Sequence, residues 1–209
     1  MSQSPAAQQQ FEALVTSTGL VAMSGAGVAA TEPEYRFDAE RTIASLASSL
    51  AVIHSAVDAA EYEQLPTLQS QCLTPQKLVE RARLVATDNS VAPAELSAAY
   101  RHVTRERLIE ILAEGADRMA LPVEEIVLIQ GNPCLSNLRF AGQELLGFDD
   151  WSHSALGDSY FDLALAASDL LSIFGPQPIQ SFFGIYGLNS PDPLRLDWYL
   201  LAVELCTQR

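Results

Sequence analysis

The chain has 209 residues, 48% of them hydrophobic, which suffices for one well-buried domain, and one domain is the default reading. A formal net charge of −14 argues against a nucleic-acid partner, because binding a phosphate backbone depends on clustered Lys and Arg. Cys72, Cys134 and Cys206 are odd in number and lack CxxC spacing, so neither a disulfide framework nor a structural zinc site is indicated, and a reducing cytoplasmic location is expected. No basic segment precedes an apolar core near the start, Arg36 being the first cationic side chain, and no uncharged apolar run is long enough for a bilayer span.

Residues 1–10 are polar and Gln-rich and are expected to form a flexible tail. From Phe11 to Ala30 the chain is apolar but broken by Gly19, Gly25 and Gly27, and two short strands or one hairpin are expected there. The run Gly25-Ala26-Gly27-Val28-Ala29-Ala30 nearly spells a dinucleotide fingerprint. That motif needs a helix opening directly after it, whereas Thr31-Glu32-Pro33-Glu34 follows, so a plain glycine-rich loop is expected.

The first long helix is expected from about Asp38 to Ala59, with Asp38 as N-cap and a core stripe of Ile43, Leu46, Leu50, Ile53 and Val57. His54 lies beside the stripe and reads as a hydrogen-bonded packing histidine. A second helix starts at Thr74 and Pro75 and carries Leu78, Val79 and Val85. Pro93 to Val103 reads as a short helix, and Thr104 caps another through Leu108, Ile109, Leu112 and Met119. Arg101, His102, Arg105 and Arg107 form a local basic cluster, read as a solvated helix face. Further on, an apolar helix is expected over Asp158–Phe174, stopped by Gly175-Pro176, with a shorter one over Ile179–Tyr186. A last helix, capped by Ser190 or Asp192 and apolar on more than one face, should be largely buried.

The most informative stretch is Ile126 to Asp162. Ile126-Val127-Leu128-Ile129 reads as a buried strand that stops at Gly131, and the loop Asn132-Pro133-Cys134-Leu135-Ser136-Asn137 follows. A second strand around Leu138-Arg139-Phe140, a turn at Ala141-Gly142 and a third strand, Leu145 to Phe148, deliver Asp149 and Asp150. A hairpin with an amide at its entrance and a carboxylate at its exit offers oxygen ligands of the kind Mg²⁺ takes. His153 has no second His or Cys at a ligand spacing, and Ser136 and Ser152 lack a GxSxG elbow.

These residues resemble the aminoglycoside phosphotransferase and choline kinase-like family, relatives of protein kinases, over roughly residues 38–205. In that family a His-Gly-Asp triplet opens the catalytic loop, its Asp acting as base, and an Asn five positions later and a hairpin Asp hold metal. The triplet here reads Gln130-Gly131-Asn132, the Asn falls at Asn137 and the hairpin Asp at Asp150. By resemblance, Gly157-Asp158-Ser159-Tyr160-Phe161-Asp162 begins the family's next helix, with Asp162 as an anchor for the loop. A carboxamide at 132 can orient a hydroxyl but cannot take its proton near neutral pH.

The resemblance implies an α+β, mainly α fold: a kinase-like C-terminal lobe with a short β hairpin at the site and a strongly shortened N-terminal lobe. A kinase-type small lobe needs at least about 55 residues, and only residues 11–37, a vestigial segment, precede the helical lobe expected over 38–209. The family's phosphate-holding lysine has no counterpart there, since the only lysine is Lys77 on a later helix, and Arg36 reads as a surface charge.

A degenerate family member that binds rather than phosphorylates is therefore expected, with a protein partner or a second copy on the surface left by the missing lobe. The alternative is an active ATP-dependent kinase for an amine-bearing alcohol or sugar. It would use Mg-ATP held at Asn137 and Asp150, with Asn132 orienting the substrate and another chain completing the nucleotide site.

Overall fold

The computed structural model describes residues 5–23, 25–57, 72–88 and 96–206. Its elements in chain order are α1 (Pro5–Ser17), β1 (Val28–Ala29), α2 (Pro33–Phe37), α3 (Ala39–His54), α4 (Pro75–Thr87) and α5 (Arg105–Gly115). Single 3₁₀ turns at Ala116–Met119 and Val123–Glu125 lead into β2 (Val127–Ile129). Next come β3 (Leu138–Ala141), β4 (Glu144–Phe148), β5 (Ala155–Gly157), α6 (Ser159–Phe174), α7 (Ile179–Tyr186) and α8 (Pro193–Cys206). The architecture is α+β and mainly α, as expected. None of the described helices is long and apolar enough to cross a membrane.

Two small antiparallel sheets carry the middle of the chain: β1-β3-β4, and β2 paired with β5. In the first, Val28 stands opposite Phe140 and Leu138 opposite Phe148, with an irregularity between Arg139 and Phe140. In the second, Leu128 pairs with Leu156.

Side-chain alternation makes β2 a partition between two cores. Leu128 enters a cluster with Ile43, Leu46, Leu50 and Ile53 of α3. Its neighbour Ile129 enters another with Leu78 of α4, Leu112 of α5 and Tyr199 of α8. Helix α6 is divided in the same way, Leu163, Ala166 and Leu170 facing the first cluster and Phe161 and Ala164 the second. The loop after β2 is thus rooted where both cores meet.

Several sequence expectations are corrected. In place of strands between Phe11 and Ala30 there is α1, which also takes in part of the expected flexible tail, and only the two-residue β1 is extended. The Ala- and Gln-rich start favours helix, and Phe11, Leu14 and Val15 fall at helical spacing, Val15 buried and the other two packed on the first core. Helix α3 ends at His54, short of the expected Ala59, and residues 58–59 lie outside the described residues. Asp38 precedes α3 without making a side-chain cap bond. Of the helix expected over Pro93–Val103, residues 93–95 lie outside the described residues and the rest forms turns, Tyr100 N bonding Ser97 O and Val103 N bonding Tyr100 O. Strand β5 was not anticipated. Its three residues give too short a period to read.

Other expectations hold. Thr74 and Thr104 accept from the backbone N–H of Lys77 and Arg107 and so cap α4 and α5. Asp192, rather than Ser190, accepts from Leu194 N ahead of α8. The Gly25–Gly27 region is a loop: Gly27 has φ +68°, and a Cβ there would lie 2.4 Å from the Phe140 carbonyl oxygen. Its glycine serves the approach of β1 to β3.

Candidate functional site

The loop between β2 and β3 is held by carboxylates on α6. Asp162 is fully buried, and its Oδ2 accepts from Gln130 N at 2.6 Å and from His54 Nε2 at 3.1 Å. Its Oδ1 accepts from Gly131 N at 2.8 Å. A carboxylate removed from water keeps its charge only when its lone pairs are met in this way. His54 in turn lies 2.8 Å from the Tyr186 hydroxyl through Nδ1, so α3, α6, α7 and the loop share one network. The expectations for His54 and for Asp162 as loop anchor are both met.

Two turns along the same helix, Asp169 accepts from Leu135 N at 2.7 Å, and burial raises its pKa. Gly131 has φ +85°, and a Cβ there would fall 2.0 Å from the His153 carbonyl oxygen. Only glycine lets the loop pass that backbone.

Above this anchor the three sequence-predicted site residues meet. The Asn137 Nδ2 donates to the carbonyls of Asn132 at 3.2 Å and of Asp150 at 2.9 Å. Its Oδ1 accepts from Asp150 N at 2.7 Å. The amide therefore clamps the backbone on both sides of the hairpin. Gln130, fully buried, adds a second clamp: its Oε1 accepts from Asn132 N at 2.7 Å and its Nε2 donates to Asp150 O at 2.6 Å.

The Asn132 carboxamide oxygen lies 3.4 Å from the Cys134 thiol. The Asp150 carboxylate is exposed, with the Ser152 hydroxyl and then the Ser152 N–H holding its pKa below the usual range, the N–H donating at 2.9 Å. Asp149, delivered by the same strand, is instead paired with Arg139 across the hairpin.

Chemically, the set offers one ionised carboxylate and one amide oxygen that already accepts a bond. That is a partial fit to a hard cation, of the kind Mg²⁺ completes with phosphate oxygens. No group of three or more His, Cys, Asp or Glu arranged for a metal occurs among the described residues, and His153 has no such companions. The side chain at position 132 is a carboxamide, which takes no proton near neutral pH. Lys77 donates from Nζ to the Cys72 carbonyl at 2.7 Å, and Arg36 is exposed. In the basic cluster, Arg107 pairs with Glu110 and Glu114, and Arg105 reaches the Leu205 carbonyl.

The clamp made by Gln130, the tie from Asp169 to the loop and the pairing of Arg139 with Asp149 are not among the sequence expectations. For Asp169 a signal was present: two acids seven residues apart on an otherwise apolar helix share a face. Beside the loop opens a cleft of about 670 Å³ lined by residues of the loop, of the segment after Asp150, and of α4, α6 and α8.

The family model described as "Phosphotransferase enzyme family" matches residues 10–199. Solved structures share the fold. An aminoglycoside phosphotransferase from Streptomyces rimosus, in complex with ADP and streptomycin, superposes with a TM-score of 0.70 at 22% identity, over 87% of this chain and 67% of that one. An aminoglycoside-3′-phosphotransferase of type VIII gives 0.64 at 25% identity, over 86% and 65% of the two chains. A choline kinase from Streptococcus pneumoniae gives 0.63 at 16% identity, over 97% and 69%. The chain thus spans about two thirds of the length of these structures.

Proposed function

This chain belongs to the phosphotransferase enzyme family, and we propose that it is a degenerate member whose site binds a ligand without transferring a phosphoryl group to it. The observation that carries this reading is Asn132. It stands where the family places its base, five residues before Asn137 and on the same loop, bonded through its main chain to Gln130 and Asn137. A carboxamide in that place positions a hydroxyl but leaves its proton in place. The Asn137 amide supports the same reading, because its oxygen and nitrogen are committed to the backbone of Asp150 and Asn132. When Mg²⁺ and nucleotide phosphates are present, Asp150 and the remaining lone pair of Asn137 Oδ1 are the groups that would hold the metal, which would neutralise phosphate charge.

The test is transfer from radiolabelled Mg-ATP to a panel of aminoglycosides, macrolides and choline, beside calorimetry with Mg-ATP alone. No labelled product is expected. Turnover by the unaltered protein overturns the proposal, and turnover rising more steeply than protein concentration would favour an active enzyme whose nucleotide site a second chain completes.

A further inference from the structure

The cleft beside Asn132 has a lining unlike that expected for a polycation. Its walls are apolar, with Leu78 and Val85 from α4, Phe161 and Leu165 from α6 and Val203 from α8. Its polar lining comprises Arg81, Asn132, Ser152 and His153 together with the Gly131 backbone, and no carboxylate lines it among the described residues. Arg81 makes no ion pair among the described residues and lies near enough to Cys206 to bear on its thiol. In a chain with a formal charge of −14, a cleft whose charged lining is cationic is a local reversal of sign.

Asn132 acts in the same electrostatic direction. An aspartate there would repel an anion from the inner end of the cleft, whereas the carboxamide is neutral and its Nδ2 is a donor. Apolar walls with a few polar groups are also the usual composition of a small-molecule site, and the volume falls within the usual range for one.

We propose that this cleft takes a small amphiphile with an apolar body and a single anionic group, the body lying against the walls from α4, α6 and α8 and the anion paired with Arg81. This rests on the binding reading above and names the class of ligand bound. A polycationic sugar would meet a cation and apolar walls with no carboxylate in return, and is disfavoured at this site.

The experiment compares two probes with the same chain and opposite heads, decanoate and decyltrimethylammonium, each titrated calorimetrically below its micelle concentration into the intact protein. Decanoate should bind with one-to-one stoichiometry and at least about tenfold more tightly than the ammonium, since one favourable charge contact is worth about that factor. Arg81→Glu should weaken decanoate by about tenfold or more, and Arg81→Gln by less, while the melting temperature stays put because Arg81 is exposed. Arg36→Glu, which changes net charge equally on an exposed site outside the cleft lining, should leave decanoate affinity within about twofold, as screening at physiological salt predicts.

Equal affinity for the two heads, tighter binding of the ammonium, or equal losses from Arg81→Glu and Arg36→Glu would overturn the proposal. The phosphoryl-transfer assay reads a different quantity. A cleft that rejects decanoate in a protein that transfers no phosphate would sink the ligand class and leave the binding reading standing, whereas turnover alongside tight, Arg81-dependent decanoate binding would sink the binding reading and leave the ligand class.

Discussion

Asp162 and Asp169 lie two turns apart on α6, and each fixes one part of the loop that carries Asn132. Removing Asp162 would strand three donors, the buried Gln130 amide and His54 Nε2 and the half-buried Gly131 amide. At about 1–3 kcal/mol per unsatisfied group, Asp162→Ala should cost about 4 kcal/mol in urea unfolding. Adding His54→Leu to that variant should cost less than it does in the unaltered protein, because the two share one bond.

Asp169 differs in sign. Its folded pKa is raised by burial, so between the unfolded and folded pKa values the folded state holds the proton more tightly, and stability falls as pH rises through that acidic window. Asp169→Asn keeps an acceptor for Leu135 N and has no charge to bury. Its stability relative to the unaltered protein should therefore improve as pH rises from the ordinary carboxylate range toward neutral. A difference that stays flat or shrinks over that range would show that burial is not the governing cause.

The hairpin pattern marked Asn137 and Asp150 in the sequence, while Asn132 and Asp162 were legible only through the resemblance to the family's motif. Gln130 was not legible as a clamp. A glutamine at the end of an apolar strand gives no sign of being fully buried, and its two bonds reach backbone groups 2 and 20 residues away.

Among the elements, helix starts were read to within a residue or two, since capping and periodicity are local signals, while the ends of α3 and α5 fell about four to five residues before those expected. What failed had a signal too short to read or one that its neighbours masked. Strand β5 is three residues long, and α1 has glycines after it that suggest turns, while its own Phe11, Leu14 and Val15 follow helical spacing.

Helix α6 also shows how a cap becomes a tertiary tie. Asp158 accepts from Tyr160 N at 2.9 Å, and its other oxygen receives Arg195 Nη2 of α8 at 2.6 Å, with the guanidinium also over the Tyr160 ring. Asp158→Asn preserves the cap but leaves Arg195 without its carboxylate. The loss should be about 2 kcal/mol, and Asp158→Ala, which also removes the cap, should lose about 1 kcal/mol more. Guanidinium unfolding of both variants and of Arg195→Leu, taken as a cycle, separates the two contributions. Equal losses from the Asn and Ala variants would mean that the cap contributes nothing.

At the scale of the whole molecule, apolar side chains remain on the surface beside the β1-β3-β4 sheet: Met23 is 79% exposed, with Val21 at 44% and Val28 at 41%. Val21 bridges to Phe148 on one side of that sheet and Val28 pairs opposite Phe140 on the other, so backbone edges lie at both positions. Such edges beside apolar side chains favour association with another chain. A second copy is the occupant we predict, and two like copies bring two charges of −14 together. Their repulsion is screened over about 10 Å at 0.1 M salt, so association should tighten as salt rises, opposite to what ion-paired interfaces do. Sedimentation at micromolar protein should show a dimer whose dissociation constant falls severalfold between low and moderate salt, and Val21→Asp with Val28→Asp should return the chain to monomer. A monomer at every salt concentration, or a dimer that loosens with salt, would assign the exposed valines no role in assembly and would place any contact between copies on charged surface instead.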